Sequence, residues 1–382
     1  MTTAGASKGI ALTDRQRIAW LRLIRSDNVG PATFRDLINH FGSAETALEL
    51  LPELSARGGS TRAIRVATIA EAEAELDLAR RNRARFVGIG EPEYPSALRQ
   101  IEGAPPLLAA KGDFSTLANT AIGLVGARNC SVSGAKFASM LARDIGAAGY
   151  ATVSGLARGI DAASHRSSLD TGTIAVFAGG IDRPYPPENL SLLEDIVQGG
   201  GVAISEMPFG WEPRARDFPR RNRLIAGIGM GLVVIEAAER SGSLITARYA
   251  ADFGRLVFAV PGSPLDPRCK GANMLLKDGA QIVTEVQDVL RAMAPVTGRD
   301  LFSQAEIEEP PQEDNGRISA SPTESERMRI VDALGPSPVE IDDIIRHTQS
   351  AAQTVYLILL ELDLAGRLHR HPGGLVSLDM AG

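Results

Sequence analysis

The hydrophobic positions of this chain change period along its length, and the changes divide it. From Thr13 to about Leu54 they recur with helical spacing, Phe34, Leu37, Ile38 and Phe41 standing at i, i+3, i+4 and i+7. Asp14 is placed to cap a first helix and Gly42 to stop a second. Residues 62–85 predict one further helix, with Arg80, Arg81, Arg83 and Arg85 crowded where cations suit a helix C-terminus. Short β-rich runs follow at 122–125, 151–153, 174–177, 202–204, 232–235 and 256–260, separated by stretches of helical length. Helical period is plain in one of those stretches, at Phe137, Met140, Leu141, Ile145 and Ala148. Two earlier runs, 85–89 and 107–111, are expected to add strands at the entrance to this region. Right-handed crossovers of such length predict an α/β domain, a Rossmann-like, doubly wound and mostly parallel sheet.

The last quarter changes character again. Residues 296–322 hold Glu306, Glu308, Glu309, Pro310, Pro311, Glu313 and Asp314 with few large apolar groups, and are expected to be a flexible acidic linker. Helical stretches near 324–334, 339–346 and 350–365 then precede an alternating segment from Gly366 to Val376, the order of a winged helix. The third of these helices carries Glu361 and Asp363 and no basic residue, which favours a protein contact there over DNA reading. The expected domains are therefore 1–84, helical and SAM- or helix-hairpin-helix-like; 85–295, Rossmann-like; 296–322, linker; and 323–382, winged helix. In the first, Asn28-Val29-Gly30-Pro31-Ala32 has the form of a hairpin whose amides can meet a phosphate. No lysine or arginine sits in it, so a packing role is the simpler reading.

Composition narrows the function. With 382 residues, 44% of them hydrophobic, the chain can bury two or three cores without staples. Its two cysteines, Cys130 and Cys269, have no partners at metal-ligand spacing, so neither a disulfide scaffold nor a metal site is expected, and a reducing cytoplasm fits. The sequence offers neither a membrane-length apolar run nor a signal-peptide pattern at its start. A formal charge of −6 requires any nucleic-acid binding to use a local basic patch.

The loops after the strands supply that patch. In open α/β sheets ligands sit beyond the carboxyl ends of strands. Gly126-Ala127-Arg128 has an arginine where a dinucleotide site wants a second close-approach glycine, and Arg128 brings a planar cationic fork to a helix N-terminus. Ser154, Gly155 and Arg158 form a second such turn, in which Asp161 orients a hydroxyl or an arginine or, more simply, steadies the helix start, and His165 reads as structural rather than as a general base. Tyr185 offers a ring for a base, or core packing. Arg214, Arg216, Arg220, Arg221 and Arg223, with Asn222, crowd around Pro219, which suits a helix's first turn. Ser241, Gly242 and Ser243 open another helix with N–H and O–H donors. Several anion-binding turns on one sheet edge, with an arginine cluster, suggest several phosphates in a row, most simply those of single-stranded DNA.

Taken in order, Gly126-Ala127-Arg128, the stretch from Ser154 to Asp161, Tyr185-Pro186-Pro187-Glu188-Asn189, Ser205-Glu206, the stretch from Pro219 to Gly227, that from Ser241 to Thr246, and Val260-Pro261-Gly262 resemble the DNA-processing protein A family (DprA/Smf). The resemblance implies binding of single-stranded DNA without sequence preference, a homodimer through the Rossmann-like domain, and loading of the RecA recombinase onto strands in natural transformation. It implies no catalytic residue and no cofactor, and carries phosphate-binding roles to Arg128, Arg158, Arg220, Arg221 and Arg223. The rival reading is a nucleotide-processing enzyme of the Rossmann-like phosphoribohydrolase type, which needs a carboxylate where Thr246 stands. A scaffolding protein would leave the arginines unexplained.

Overall fold

Capping chemistry sets where the first helices begin. Helix α1 (Asp14–Arg25) starts from Thr13, not from Asp14. The Thr13 hydroxyl accepts from the Gln16 amide and the Gln16 side chain from the Thr13 amide, a reciprocal box that satisfies two orphan donors. Helix α2 (Pro31–Phe41) ends at Gly42, in the left-handed region at φ 76°, as its sequence predicts. Helix α3 is Ala44–Arg57. Helix α4 (Ile69–Arg81) is shorter than the helix expected over 62–85, because Thr68 and Glu71 form a second capping box that fixes its start, while Arg85 opens a strand.

Then follow β1 (Arg85–Gly88), α5 (Ser96–Arg99), β2 (Leu107–Gly112), α6 (Phe114–Ala118), β3 (Ala121–Gly126) and α7 (Val132–Ala147). The alternation continues with β4 (Ala151–Ser154), α8 (Ile160–Ser167), β5 (Thr173–Val176), α9 (Leu190–Gln198), β6 (Val202–Ser205) and α10 (Asp217–Ile228). It closes with β7 (Gly229–Ile235), α11 (Gly242–Asp252), β8 (Leu256–Ala259), α12 (Lys270–Lys277), β9 (Gln281–Ile282) and α13 (Val286–Thr297). The computed structural model describes residues 11–297, 322–371 and 373–379; most of the stretch expected as an acidic linker, 298–321, lies outside them.

The nine strands form one sheet in the order β1-β2-β6-β5-β4-β3-β7-β8-β9. Strands β3 to β9 run parallel, and the two early strands add antiparallel at one edge, β2 against β6. The chain runs outward from β3 to β6 and then lays β7 on the other side of β3. That reversal is a topological switch point, where an open α/β sheet leaves a crevice. Ile122, Leu124, Val233 and Ile235 pack against Leu141, Ala142 and Ile145 of α7, which fixes the helix on the face of the central strands β3 and β7. Strand β7 begins at Gly229, three residues before the apolar run at 232–235, and the two-residue edge strand β9 is too short to show in the hydrophobic pattern.

The C-terminal elements are α14 (Glu324–Asp332), β10 (Val339–Glu340), α15 (Ile341–Thr348), α16 (Ala352–Leu364), β11 (Leu368–His371) and β12 (Leu375–Leu378). A small antiparallel sheet, β10-β12-β11, closes a core of Ile330, Ile344, Val355, Ile358, Leu362 and Val376, completing a winged helix. The chain resolves into two compact units, one holding the nine-stranded sheet, the other joining residues 13–73 to the winged helix. None of the described helices is long and apolar enough to cross a membrane.

Candidate nucleic-acid interface

The crevice at the switch point holds two adjoining cavities, of about 480 and 250 Å³, that share Arg128, Ala157, Phe218 and Arg221 in their walls. The loops after β3, β4, β5 and β7 and the first turns of α10 and α11 build them, so the sheet brings together residues more than a hundred positions apart.

Arg221 is the floor. It is only 6% exposed, and its Nη1 donates to the carbonyls of Gly155 and of Val176, the latter at 2.7 Å. Its Nε donates to Asn222 Oδ1 at 3.1 Å, and Asn222 donates to the Gly242 carbonyl at 3.2 Å, which ties the starts of α10 and α11 together. Burial pushes the Arg221 guanidinium down to about 10, against the pull of Asp161 and with help from nearby Arg128, so it stays charged at neutral pH. A Cβ at Gly155 would lie 2.3 Å from Arg221 Nη1, so the glycine makes room for the guanidinium.

Of the two roles expected of Asp161, the structure favours the one beside an arginine. Its Oδ2 accepts from the Gly155 and Ala157 amides at 3.1 and 3.3 Å, folding the β4–α8 loop around the arginine. Burial raises its carboxyl, opposed by Arg221 and those amides. His165, at 0% exposure, pairs its Nδ1 with the Thr173 hydroxyl at 2.7 Å. Burial and then Arg221 push it down to about 3, and it lines neither cavity, so it is a neutral core residue.

The cavity walls are cationic and aromatic. Arg128 is exposed, its guanidinium 5.3 Å from the Phe218 ring centroid, and it makes no ion pair among the described residues. Tyr185, 49% exposed, meets the same ring edge-on at 5.8 Å. Arg158 faces Glu188 across the smaller cavity at 3.9 Å, both more than half exposed. Gly126, Asn222, Ser241, Gly242 and Ser243 line the larger one, with the Ser241 and Ser243 hydroxyls 2.7 Å apart. Arg240 and Arg268 also line it, the latter held by Asp266 at 2.7 Å. Sequence reasoning assigned no role to either, nor to Glu188 as a wall, whereas Phe218 stands out in the sequence as an aromatic interleaved with the arginines; Arg268 follows a different strand altogether and carries no local signal.

Four of the expected phosphate sites are engaged elsewhere. Ser154 Oγ, fully buried, donates to the Leu124 carbonyl at 2.6 Å. Arg223 is bonded to the nearly buried Glu206 and, at 2.6 Å, to the Gly103 carbonyl; Arg220 bonds the other oxygen of Glu206 at 2.8 Å. Neither lines either of these two cavities, though Arg220 remains 46% exposed. The fourth is the N-terminus of α7, where Arg128 was expected to join free amides. Glu236, held at φ 51° just beyond β7, accepts from the Ser131 amide at 2.8 Å and from its hydroxyl. The protein's own carboxylate thus occupies the position at that helix start which a dinucleotide phosphate takes in a Rossmann site. The anion sites that stay open are those around Arg128, Arg158 and the start of α11. Among the described residues no group of three His, Cys, Asp or Glu is placed to hold a metal.

Comparison with known proteins gives this architecture a family. The DNA recombination-mediator protein A profile matches residues 85–294, a DprA-like N-terminal helix-hairpin-helix profile matches 14–77, and a DprA winged-helix profile matches 317–374. The X-ray structure of DNA processing protein A from Streptococcus pneumoniae superposes with a TM-score of 0.60 at 34% identity, over 74% of this chain and 98% of that one. DNA processing protein A of Helicobacter pylori, whose structure is described for its single-stranded DNA binding mode, gives 0.51 at 25% identity, over 55% of this chain and 96% of that one. DNA processing protein DprA of Bacillus subtilis is 40% identical over 54% of this chain and 70% of its own. With its sheet, helical and winged-helix regions each matched in order, the chain belongs to the DNA recombination-mediator protein A (DprA/Smf) family of DNA-processing proteins.

Proposed function

We propose that the paired cavities form a groove for single-stranded DNA, bound without regard to sequence, and that the protein delivers such strands to the RecA recombinase in natural transformation. One observation carries the reading. Arg128, Phe218 and Arg221 are common to both cavities, so the two adjoin over one cation, one aromatic ring and one buried charge and together make a single groove. Phosphates meet Arg128, Arg158, Arg240 and the start of α11, while Tyr185 and Phe218 offer faces or edges to unpaired bases, stacking being worth about 1–3 kcal/mol per base. A flexible strand with unpaired bases can use both the cations and the rings of such a groove, whereas a duplex keeps its bases stacked away from the rings. The Helicobacter pylori relative, described for binding single-stranded DNA, supports the assignment of substrate.

Recombinase loading rests on family membership and on no surface identified in this chain. For the homodimer we assign the open sheet edge at β9, where Ile282 is 55% exposed and, among the described residues, no strand pairs beyond the last one. An enzyme acting on a nucleotide fits less well. Thr246, 1% exposed, stands where a phosphoribohydrolase needs its carboxylate, and His165 is buried and neutral.

The test is binding of labelled oligo-dT and of duplex of equal length across a salt series, with nucleoside monophosphate turnover followed on the same sample. Preference for the single strand with a steep salt dependence and no turnover is expected. Turnover without strand binding would make the arginines ligands for a nucleotide's own phosphate.

A further inference from the structure

Helix α16 is the third helix of the winged helix, the one such folds place in a DNA major groove. It is buried on two faces. Val355, Ile358, Leu359 and Leu362 enter the winged helix's own core. The opposite stripe, Leu357, Leu360, Glu361 and Leu364, is also at most 7% exposed, although it belongs to no part of that core. Helices α2 and α3 of the N-terminal domain cover it.

The contacts are specific. Asn28, in the hairpin before α2, donates through Nδ2 to the Leu364 carbonyl at 2.9 Å, and Ser55 Oγ reaches the same oxygen at 3.3 Å. Asp363 accepts from Thr33 Oγ1 at 2.9 Å and from Arg370 Nε at 2.8 Å, while Arg370 Nη2 reaches Asp36 at 2.7 Å. Glu361 is fully buried with Arg327 of the winged helix at 2.6 Å and Arg57 of the helical domain at 3.9 Å. A buried carboxylate is costly unless compensated, and here one cation comes from each domain. Arg367 and Arg327 donate to the Gly58 and Arg57 carbonyls at 3.1 and 3.2 Å, covering the end of α3. At Gly58 itself a Cβ would lie 1.9 Å from the Glu361 carbonyl oxygen, so a glycine of the first domain is required by the backbone of the last.

We propose that α16 is an intramolecular docking surface: the partner it recognises is the helical domain of its own chain, and the docked pair closes α16 to nucleic acid. The apolar stripe flanked by Glu361 and Asp363 is complementary to α2 and α3 with Arg57, and repels a phosphate backbone. The winged helix is thus a clamp that holds the two ends of the chain together, independent of what the sheet unit binds.

Gly58 gives a direct test in the full chain. Its backbone is right-handed helical at φ −69°, a conformation any residue adopts, so Gly58→Val is tolerable in a helical domain standing alone and clashes only in the docked pair. Hydrogen exchange should then rise together in 31–57 and 352–364, by about tenfold or more, with the sheet strands unchanged. Should Gly58→Val disrupt folding more widely, charge exchange serves instead: Asp36→Arg and Arg370→Asp each raise exchange in both segments, and the double variant restores it. Wild-type exchange in the variants, a rise confined to 31–57, or slowing of exchange in 352–364 of the wild-type chain by a short duplex would each overturn the proposal.

Discussion

Arg128, in the loop after β3, and Arg223, in helix α10, were both expected to meet phosphate, yet they do opposite work. Arg128 is exposed over Phe218, whereas Arg223 is 14% exposed and bonded to Glu206 and the Gly103 carbonyl. Arg223→Gln should therefore lower stability by about 3 kcal/mol, because Glu206 loses one of its two partners in a site where it is 4% exposed. The fall should appear in thermal unfolding, with the salt slope of DNA binding intact. Glu188 predicts the reverse pattern. It is the acid among the described walls of the smaller cavity, only loosely paired with Arg158, and it repels phosphate; Glu188→Gln should tighten oligo-dT binding about twofold to fivefold without moving the melting temperature. A weakened complex in anisotropy titrations would mean that Glu188 positions Arg158 rather than opposing the strand. His165 gives a pH signature. Its value of about 3 in the fold lies below the ordinary 6.5, so as pH falls below 6.5 the unfolded chain takes up the proton first and the fold loses stability down to about pH 3. The loss is roughly 1.4 kcal/mol per pH unit. A His165→Gln variant should show a flatter acid limb in denaturant titrations; an equal limb would place the acid sensitivity elsewhere.

Among the elements, the start of α7 is the one whose chemistry differs most from its sequence. Its loop has the form of a phosphate turn, but Glu236 fills it from the neighbouring strand. Glu236→Ala should cost about 1–2 kcal/mol in lost capping and should open the helix start to anions. Inorganic phosphate should then raise the variant's melting temperature more than the wild type's; equal shifts would show that the helix start was never the anion site. Nothing local in the sequence announces this plug, since Ser131 and Glu236 are 105 positions apart. Strands, helices and the order of the winged helix were legible because buried parallel strands and amphipathic helices write their period into the chain. The arginine cluster around Pro219 was legible as charge but not as function, because whether a cation meets solvent or a buried glutamate depends on which strand end lies opposite. Arg221 looked like an exposed ligand and is a buried floor, held by carbonyls after β4 and at the end of β5. Asp14 lost its capping role to Thr13 by one residue, within the range where cap assignment turns on a single side chain.

At the scale of the whole molecule, an overall charge of −6 has to coexist with binding a polyanion. The sheet unit resolves this by focusing cations in a crevice where Asp161, and Glu236 beside it at the start of α7, are spent on backbone amides, leaving Glu188 as the wall acid that opposes a strand. The helical and winged-helix ends, although both are of types that contact DNA elsewhere, spend their candidate surfaces on each other. The proposed binding of nucleic acid therefore falls to the sheet unit, in the groove beyond β3, β4, β5 and β7. Four phosphates neutralised along a single strand give a slope of log affinity against log salt of about −3. Oligo-dT binding by anisotropy across a salt series, wild type against Arg128→Ala, tests this assignment, with melting temperature as a control for folding. The expected result is an affinity about tenfold lower and a slope shallower by about 0.7 at an unchanged melting temperature. An Arg128→Ala protein that binds with wild-type affinity and wild-type salt dependence would contradict the assignment, because the exposed wall cation common to both cavities would then carry no phosphate.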